Sequence, residues 1–192
     1  MTLEQIVAAG ASESATSEQL AAVLHAARGA ARELAAALDA QPDLAADLVY
    51  QHALDTKTPD LLAALVGTGS DAVLDALCAP SAFHVLLDDE GFAATVLSAV
   101  ERSGKVDRLR PIVHEHVARA FAAADTQMSA PGYEDPDPEL LATFLVTRVR
   151  RLPQALRTEA EAAVRELADG PWQDSGRIAV MRAHVLGAMQ AK

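Results

Sequence analysis

The sequence predicts an all-α protein, and three observations lead to that prediction. The chain contains 42 alanines and 24 leucines against only 3 isoleucines, and alanine and leucine favour helix whereas β-branched residues favour strand. Its apolar residues recur with a helical period. Helix-start signals precede the apolar runs. With 192 residues, 51% of them hydrophobic, the chain is long enough to bury a sizeable core.

Four similar helix starts punctuate the chain. Residues 16–19 (TSEQ) form a capping box, in which the first hydroxyl accepts from a backbone amide of the first turn. Residues 58–60 (TPD) place a cap, a proline and an acid in the order that favours a helix N-terminus. Residues 137–139 (DPE) repeat that chemistry, and residues 89–90 (DE) are a weaker version. We therefore predict a helix after each of these positions.

The apolar runs after these starts are also similar, reading QLAAVL at 19–24, LLAALV at 61–66, FAATVL at 92–97 and LLATFL at 140–145. The starts lie 42, 31 and 48 residues apart. Over residues 16–168 this pattern resembles HEAT-like α-solenoid repeats, and also the leucine-rich variant repeats of bacteria. The resemblance implies a right-handed α–α superhelix with a curved protein-binding surface. A compact multi-helix bundle is the alternative architecture.

The remaining helices are predicted between these starts, and the whole chain is predicted to form one domain. Pro42 is expected at the first helical position of its helix, and residues 67–69 (GTG), Gly104 and Gly170 are expected to end helices. The segment 128–137 holds two prolines and one glycine and is followed directly by a third proline, Pro138. We expect it to be a loop that separates a longer N-terminal part from the C-terminal helices within a single all-α domain, 1–192. The further predicted helices cover residues 3–9, 30–40, 42–54, 70–78, 81–87, 111–125, 153–168 and 175–190.

The net charge of −11 is concentrated in one half of the chain. Residues 1–100 hold 14 acidic and 3 basic side chains, whereas residues 101–192 hold 13 of each. An acidic surface repels phosphate backbones, so nucleic acid is an unlikely partner of the N-terminal half. The acidic half either keeps the protein soluble or binds another protein that is basic.

The single cysteine and the absence of long apolar runs predict the cellular compartment of the protein. Cys78 has no second cysteine with which to pair, and its apolar neighbours indicate a small buried residue rather than a nucleophile. The longest stretch free of charged residues, 76–87, has 12 residues, whereas a spanning helix needs about 20. The first residues lack a basic and apolar signal. These features predict a cytoplasmic protein without a membrane partner.

Two neighbouring histidines, His114 and His116, are the weak ligand candidates. They lack the H-E-x-x-H spacing, and residues two apart on a helix point to opposite sides, so they cannot chelate one ion together. His116 falls within an apolar stripe and is expected to be a neutral core histidine. Glu115 and Arg119 are expected to form an i,i+4 ion pair. We predict no metal, no cofactor and no catalytic residues.

Four arginines are the partner-binding candidates: Arg148, Arg150, Arg151 and Arg157. A helical wheel that starts from Leu140 places Arg148 in the middle of an apolar stripe. Because an unpaired buried guanidinium is very costly, it is expected either to pair with a carboxylate inside the fold or to line a groove. Arg157, Glu161 and Arg165 are expected to form an i,i+4 ladder on the surface.

Three functional hypotheses remain open at this point. The first is a non-enzymatic, protein–protein interaction module, acting as an adaptor, an inhibitor or an immunity-like protein. The second is a nucleic-acid-binding or regulatory protein that uses residues 148–157. The third is a ligand-binding or enzymatic helical bundle with a pocket near His116 and Arg148. The sequence leaves the oligomeric state open.

Overall fold

The computed structural model describes residues 31–51, 55, 57–129, 138–167 and 176–190. These residues form ten α-helices and one 3₁₀ helix and contain no strand, which confirms the all-α prediction. Within the same ranges, no helix combines the length and the apolar character that crossing a membrane requires. The helices are α1 (Ala31–Asp39), α2 (Pro42–Tyr50), α3 (Pro59–Gly67), α4 (Asp71–Leu77), α5 (Pro80–Asp88), α6 (Glu90–Arg102), η1 (Val106–Leu109), α7 (Arg110–Ser129), α8 (Pro138–Arg150), α9 (Gln154–Glu166) and α10 (Gly176–Gln190).

The chain divides into two compact units. The first ends at Arg108 and the second begins at Leu109, so the boundary falls inside η1. The predicted separator at 128–137 lies later in the chain, and residues 130–137 are outside the described ranges. The single domain over 1–192 stays a prediction.

The core of the first unit is built around α4. This short helix packs against α1, α2, α3 and α5, and α6 packs against both α3 and α5. Each helix contributes an aliphatic or aromatic face with helical spacing, as the apolar periodicity predicts. The side chains that are almost completely buried include Leu38, Leu62, Leu65, Leu74, Leu77, Phe83, Leu86, Leu87 and Leu97.

The helix caps of the first unit agree only in part with the sequence prediction. The side chain of Asp89 accepts a hydrogen bond from the backbone N–H of Phe92 at 2.8 Å, so this weakly signalled cap is confirmed. Thr58 occupies the predicted N-cap position of α3, with Pro59 at the helix start and Asp60 in the first turn, but the Thr58 side chain makes no capping bond. Ser70, which was not singled out, caps α4 by accepting from Val73 N–H at 3.2 Å.

Two glycines adopt the left-handed backbone that ends a helix. Gly69 follows α3 with φ of 75°, and Gly104 follows α6 with φ of 72°. Only glycine reaches this region without a steric penalty from a Cβ atom. The predicted ends of these two helices are thus confirmed, while Gly170 lies outside the described residues.

The described residues of the second unit form a four-helix arrangement. Helix α7 packs against α8, α9 and α10, and α10 packs extensively along α8. The buried residues that line these contacts include Ile112, Val113, Val117, Phe121, Leu145, Val149, Leu156, Val164, Met181 and Val185. This unit therefore has an apolar core of its own.

The buried face of α8 differs from the predicted one. The wheel built on the leucines puts Phe144 in the stripe and Arg148 at its centre, but Phe144 is 59% exposed and Arg148 is half-buried. The prediction is wrong because it omitted the small and β-branched residues, whose stripe is centred about a third of a turn away on the helix. The buried side chains of α8 are Ala142, Leu145, Val146 and Val149.

The structure describes three of the four similar apolar runs on which the predicted repeat rests. Two of the four similar runs, 61–66 and 92–97, lie in α3 and α6, which pack against each other. The run at 19–24 lies outside the described residues, and the run at 140–145 belongs to the second unit. The HEAT-like superhelix stays a prediction.

Candidate functional site

Two of the four arginines predicted to bind a partner, Arg150 and Arg157, donate hydrogen bonds at helix ends. The Arg157 guanidinium donates from Nε to the carbonyl of Leu152 at 2.7 Å and from Nη2 to the carbonyl of Arg150 at 2.6 Å. The Arg150 guanidinium donates to the carbonyl of Ala188, near the end of α10, at 3.1 Å. The last carbonyls of a helix lack intrahelical donors and carry partial negative charge. Arg150 and Arg157 therefore stabilise the C-terminal ends of two helices.

The tight connection between α8 and α9 explains how the Arg157 side chain reaches these carbonyls. Pro153 occupies the N-cap position of α9 and turns the backbone directly from one helix into the next. Arg157 lies in the first turns of α9 and is thus close to the end of α8. The predicted ladder forms in part, because Arg165 pairs with Glu161 at 2.5 Å whereas Arg157 donates to the backbone. Arg148 and Arg151 are half-buried.

The two candidate histidines lie on opposite sides of α7, as their spacing predicts. His116 is 8% exposed among the buried residues of the helix, in agreement with the predicted core histidine. The side chain of His114 is 35% exposed and faces α9, where its Nε2 atom is hydrogen-bonded to Glu159. Its Nδ1 atom lies 3.8 Å from Oε2 of Glu166. The predicted Glu115–Arg119 pair is also formed, at 2.7 Å.

Glu159 is the centre of a charged network between α7 and α9. Arg110 Nη1 donates to Glu159 Oε2 at 2.5 Å, while His114 occupies the other carboxylate oxygen. Hydrogen bonds from His114 and then from Arg110 hold the pKa of Glu159 below its ordinary value. The carboxylate is therefore ionised at neutral pH and joins two helices of the second unit.

A surface hollow of about 320 Å³ lies beside this network. The sequence predicted a pocket near His116 and Arg148, whereas this hollow is lined by His114 and by neither of those two residues. Its lining combines apolar and acidic side chains: His114, Glu115, Ala118, Ala163, Glu166 and Leu167. Of the predicted site residues, the hollow includes only His114.

The acidic charge predicted from the sequence lies on the surface of the first unit. The described residues from 31 to 108 hold 13 acidic and 5 basic side chains. Two of the five basic side chains are engaged, because Lys105 pairs with Asp71 at 2.8 Å and Arg108 pairs with Asp75 at 2.5 Å. The described part of this unit therefore has a strongly negative surface.

One outward face of α2 adds an exposed aromatic ring to this negative surface. Asp43, Ala46, Asp47 and Tyr50 are all exposed and follow the spacing i, i+3, i+4 and i+7, so they share one side of the helix. Tyr50 is 56% exposed. The opposite side of α2 is buried through Ala45, Leu48 and Val49. We call these four exposed residues the α2 outer face.

Cys78 lies in an environment that suppresses thiol reactivity. Burial, with the nearby Asp75 carboxylate, raises the pKa of the thiol to about 11, and Sγ is 3.5 Å from the carbonyl of Arg108. Because the thiolate is the reactive form, the raised pKa disfavours a nucleophilic role, although Cys78 is half-buried and not the fully buried residue expected from the sequence.

Metal-ligand geometry is not found in the part of the chain that the structure describes. No group of three or more histidine, cysteine, aspartate and glutamate side chains there could hold an ion. His84 and Asp88, four residues apart on α5, make an exposed contact of 3.9 Å.

The structure adds functional candidates that sequence reasoning missed. Glu159 and Glu166 contact a histidine that is more than forty positions earlier in the chain, and no local pattern signals such a distant contact. Tyr50 was overlooked although a signal existed, because it follows Asp43 by seven positions and Asp47 by three and therefore lies on the same side of the helix.

Comparison with protein-family models, with curated proteins and with solved structures finds no match to this chain. Any functional proposal must therefore be argued from the residues and geometry described above.

Proposed function

We propose that this protein is a protein-binding module whose partner is basic and contacts the α2 outer face. The observation that carries this proposal is the exposure of Tyr50 on the same helix side as Asp43 and Asp47. Tyrosine is enriched in the centres of protein interfaces, where its ring supplies contact area at a low entropic cost. The neighbouring carboxylates supply charge complementarity to lysine or arginine.

The charge of the first unit supports the same proposal over a longer range. Because its described residues carry eight more acidic than basic side chains, the surface attracts a basic partner and accelerates encounter at low ionic strength. It disfavours nucleic acid for the same reason. The basic segment 148–157 gives less support to the nucleic-acid hypothesis, since Arg150 and Arg157 donate to backbone carbonyls.

Site-specific photo-crosslinking in the producing cell tests this proposal. A benzoylphenylalanine at position 50 is expected to capture a protein, and a second variant carries the same group at Phe144, which is equally exposed in the second unit. Adding Asp43→Lys and Asp47→Lys is expected to abolish the crosslink at position 50 and to leave any crosslink at position 144 unchanged. A crosslink at position 50 that survives both charge reversals would contradict the proposal. The proposal would also be contradicted if the folded protein with benzoylphenylalanine at position 50 and both aspartates intact gave no crosslink.

The captured partner then allows a quantitative test. Affinity for the purified partner is expected to weaken about tenfold when both aspartates are reversed, mainly through the association rate. It is also expected to fall as salt rises, because exposed charges are screened. An affinity that is independent of salt would exclude an electrostatically guided interface.

A further inference from the structure

The hollow beside His114 has the chemistry of a small binding site, and it is independent of the α2 outer face. It is formed where α7 and α9 pack together, and two of its lining residues are alanines, Ala118 and Ala163. Their methyl side chains leave open a volume of about 320 Å³, which is at the lower end of the range for small-molecule pockets. Larger side chains at these positions would fill it.

The lining of the hollow is apolar at its base and acidic at its edge. Ala118, Ala163 and Leu167 provide the apolar part, whereas Glu115 and Glu166 provide carboxylates, and no lysine or arginine is among the described residues that line the hollow. The Glu115 carboxylate is paired with Arg119. The Glu166 side chain is 73% exposed, and its contact with His114 Nδ1 is 3.8 Å long, beyond hydrogen-bond distance. Glu166 is thus the more exposed and less constrained of the two lining carboxylates.

The charges around the hollow are already arranged before any ligand binds. Arg110 and His114 both engage Glu159, so the histidine that lines the hollow is held on a carboxylate outside the lining. An acidic edge over an apolar base complements a ligand with an aliphatic chain and a positively charged head.

We propose that this hollow binds an alkylammonium group, with the carbon chain against Ala118, Ala163 and Leu167 and the ammonium at Glu166. Two natural sources share this chemistry, namely the side chain of a lysine in another protein and a free aliphatic amine. An anionic or a neutral ligand of the same size lacks the favourable contact with the carboxylates.

Nuclear magnetic resonance with methyl-labelled alanine tests the proposal on the full-length protein. Titration with butylammonium chloride, at constant ionic strength, is expected to shift the Ala118 and Ala163 methyl signals in a saturable manner. The butylammonium concentration is raised to about 100 mM. A ligand with five non-hydrogen atoms and a binding free energy of about −0.3 kcal/mol per atom half-saturates its site near that concentration. Butan-1-ol has the same chain with a neutral head and is expected to bind more weakly. Equal binding of the two probes, or no saturable shift, would overturn the proposal.

Variants distinguish this site from non-specific binding. Ala118→Leu fills the hollow and is expected to abolish the shifts, whereas Ala122→Leu places the same side chain at an exposed position of α7 and leaves them unchanged. Glu166→Gln is expected to weaken binding about threefold, while Glu161→Gln, on the same helix, has no effect. Loss of binding in the two control variants would contradict the assignment. Circular dichroism confirms that each variant is folded.

A last comparison separates the two ligand sources. The probes are Nα-acetyl-lysine methylamide, which represents a lysine within a protein, and putrescine, which represents a free amine. Tighter binding of the lysine derivative assigns the hollow to a protein ligand, and tighter binding of putrescine assigns it to a small amine. Failure of both to compete with butylammonium would exclude the site as proposed. None of these results depends on the crosslinking outcome at Tyr50, so the two proposals fail separately.

Discussion

In the first unit, a side chain of one helix accepts hydrogen bonds at the N-terminus of another helix and so connects the two. Asp39 is the last residue of α1, yet its carboxylate accepts hydrogen bonds from Ser70 Oγ at 2.6 Å and from Ala72 N–H at 3.0 Å. It thereby acts at the N-terminus of α4, where negative charge is favourable. The bonds from Ala72 and then Ser70 lower the pKa of Asp39.

The Asp39→Asn substitution is expected to lower the free energy of unfolding by about 1 kcal/mol at pH 7. Because the pKa of Asp39 is lowered in the fold, its contribution is present above the unfolded-state value of 3.8 and is lost as pH falls through the folded-state value. Thermal melts at pH 7 and at pH 3 measure the difference, which should shrink in acid. Asp47→Asn, at an exposed position of α2, serves as the control and should change stability by less than about 0.5 kcal/mol. A constant difference across pH would contradict this explanation.

Cys78 is expected to react slowly with thiol reagents in the native state. Raising its pKa from 9.0 to about 11 reduces the thiolate about a hundredfold at pH 8, and the greater nucleophilicity of a more basic thiolate offsets part of this. The net expectation is a rate about tenfold below that of the unfolded chain, measured with a chromogenic disulfide with and without denaturant. Equal rates in the two states would show that burial does not protect the thiol.

At the scale of elements, the junction between α8 and α9 depends on a side chain supplied by the following helix. Arg157 closes the C-terminal end of α8 through two carbonyls, and Pro153 fixes the turn between the helices. The network around Glu159 likewise joins α9 to α7. Helix α9 is therefore held at its start by α8 and farther along by α7.

Arg157→Ala is expected to destabilise the protein by about 1 kcal/mol, because it leaves two helix-end carbonyls without their charged donor while solvent recovers part of the loss. Arg157→Lys should restore part of that stability, since an ammonium can reach one carbonyl. Urea unfolding followed by circular dichroism measures both. Arg165→Ala removes an exposed i,i+4 pair on the same helix and should cost less than about 0.5 kcal/mol. A larger effect for Arg165 than for Arg157 would refute the capping role.

At the scale of the whole molecule, the boundary between the two compact units also separates an acidic part of the chain from a nearly neutral part. The first unit, residues 1–108, holds 16 acidic and 6 basic side chains, and the second, residues 109–192, holds 11 and 10. The buried residues of α7 to α10 form contacts among these four helices. Each unit therefore has a distinct electrostatic character.

A chain of residues 109–192 alone is expected to fold. Its four described helices pack against one another, and packing of amphipathic faces supplies most of the stability of short helices. Circular dichroism and a thermal melt should show high helicity and one cooperative transition. A non-cooperative melt would mean that this unit requires the rest of the chain and would favour a single domain.

Salt is expected to stabilise the intact protein more than the separate second unit. Self-repulsion among the excess acidic side chains of residues 1–108 weakens as added salt shortens the Debye length from about 30 Å at 10 mM to about 6 Å at 300 mM. The melting temperature of the full chain should rise over that range, and that of the nearly neutral 109–192 chain should change less. Equal shifts would indicate a general salt effect.

The sequence by itself determined the fold class, the positions of most described helices and the uneven distribution of charge. Composition and local spacing carry this information, because helix propensity, proline at the first position and glycine after the last turn act over a few residues. The predicted surface pair Glu115–Arg119 and the buried His116 belong to the same local category.

Tertiary structure alone decided which side of a helix is buried and which distant groups meet. Phe144 is exposed because α8 contacts its neighbours through Ala142, Val146 and Val149, and only the placement of those neighbours selects between two apolar stripes of one helix. The same holds for Asp39 at the start of α4 and for Glu159 between Arg110 and His114. Such contacts join residues whose separation in sequence leaves no periodic signal, so their energies appear only after the helices have packed.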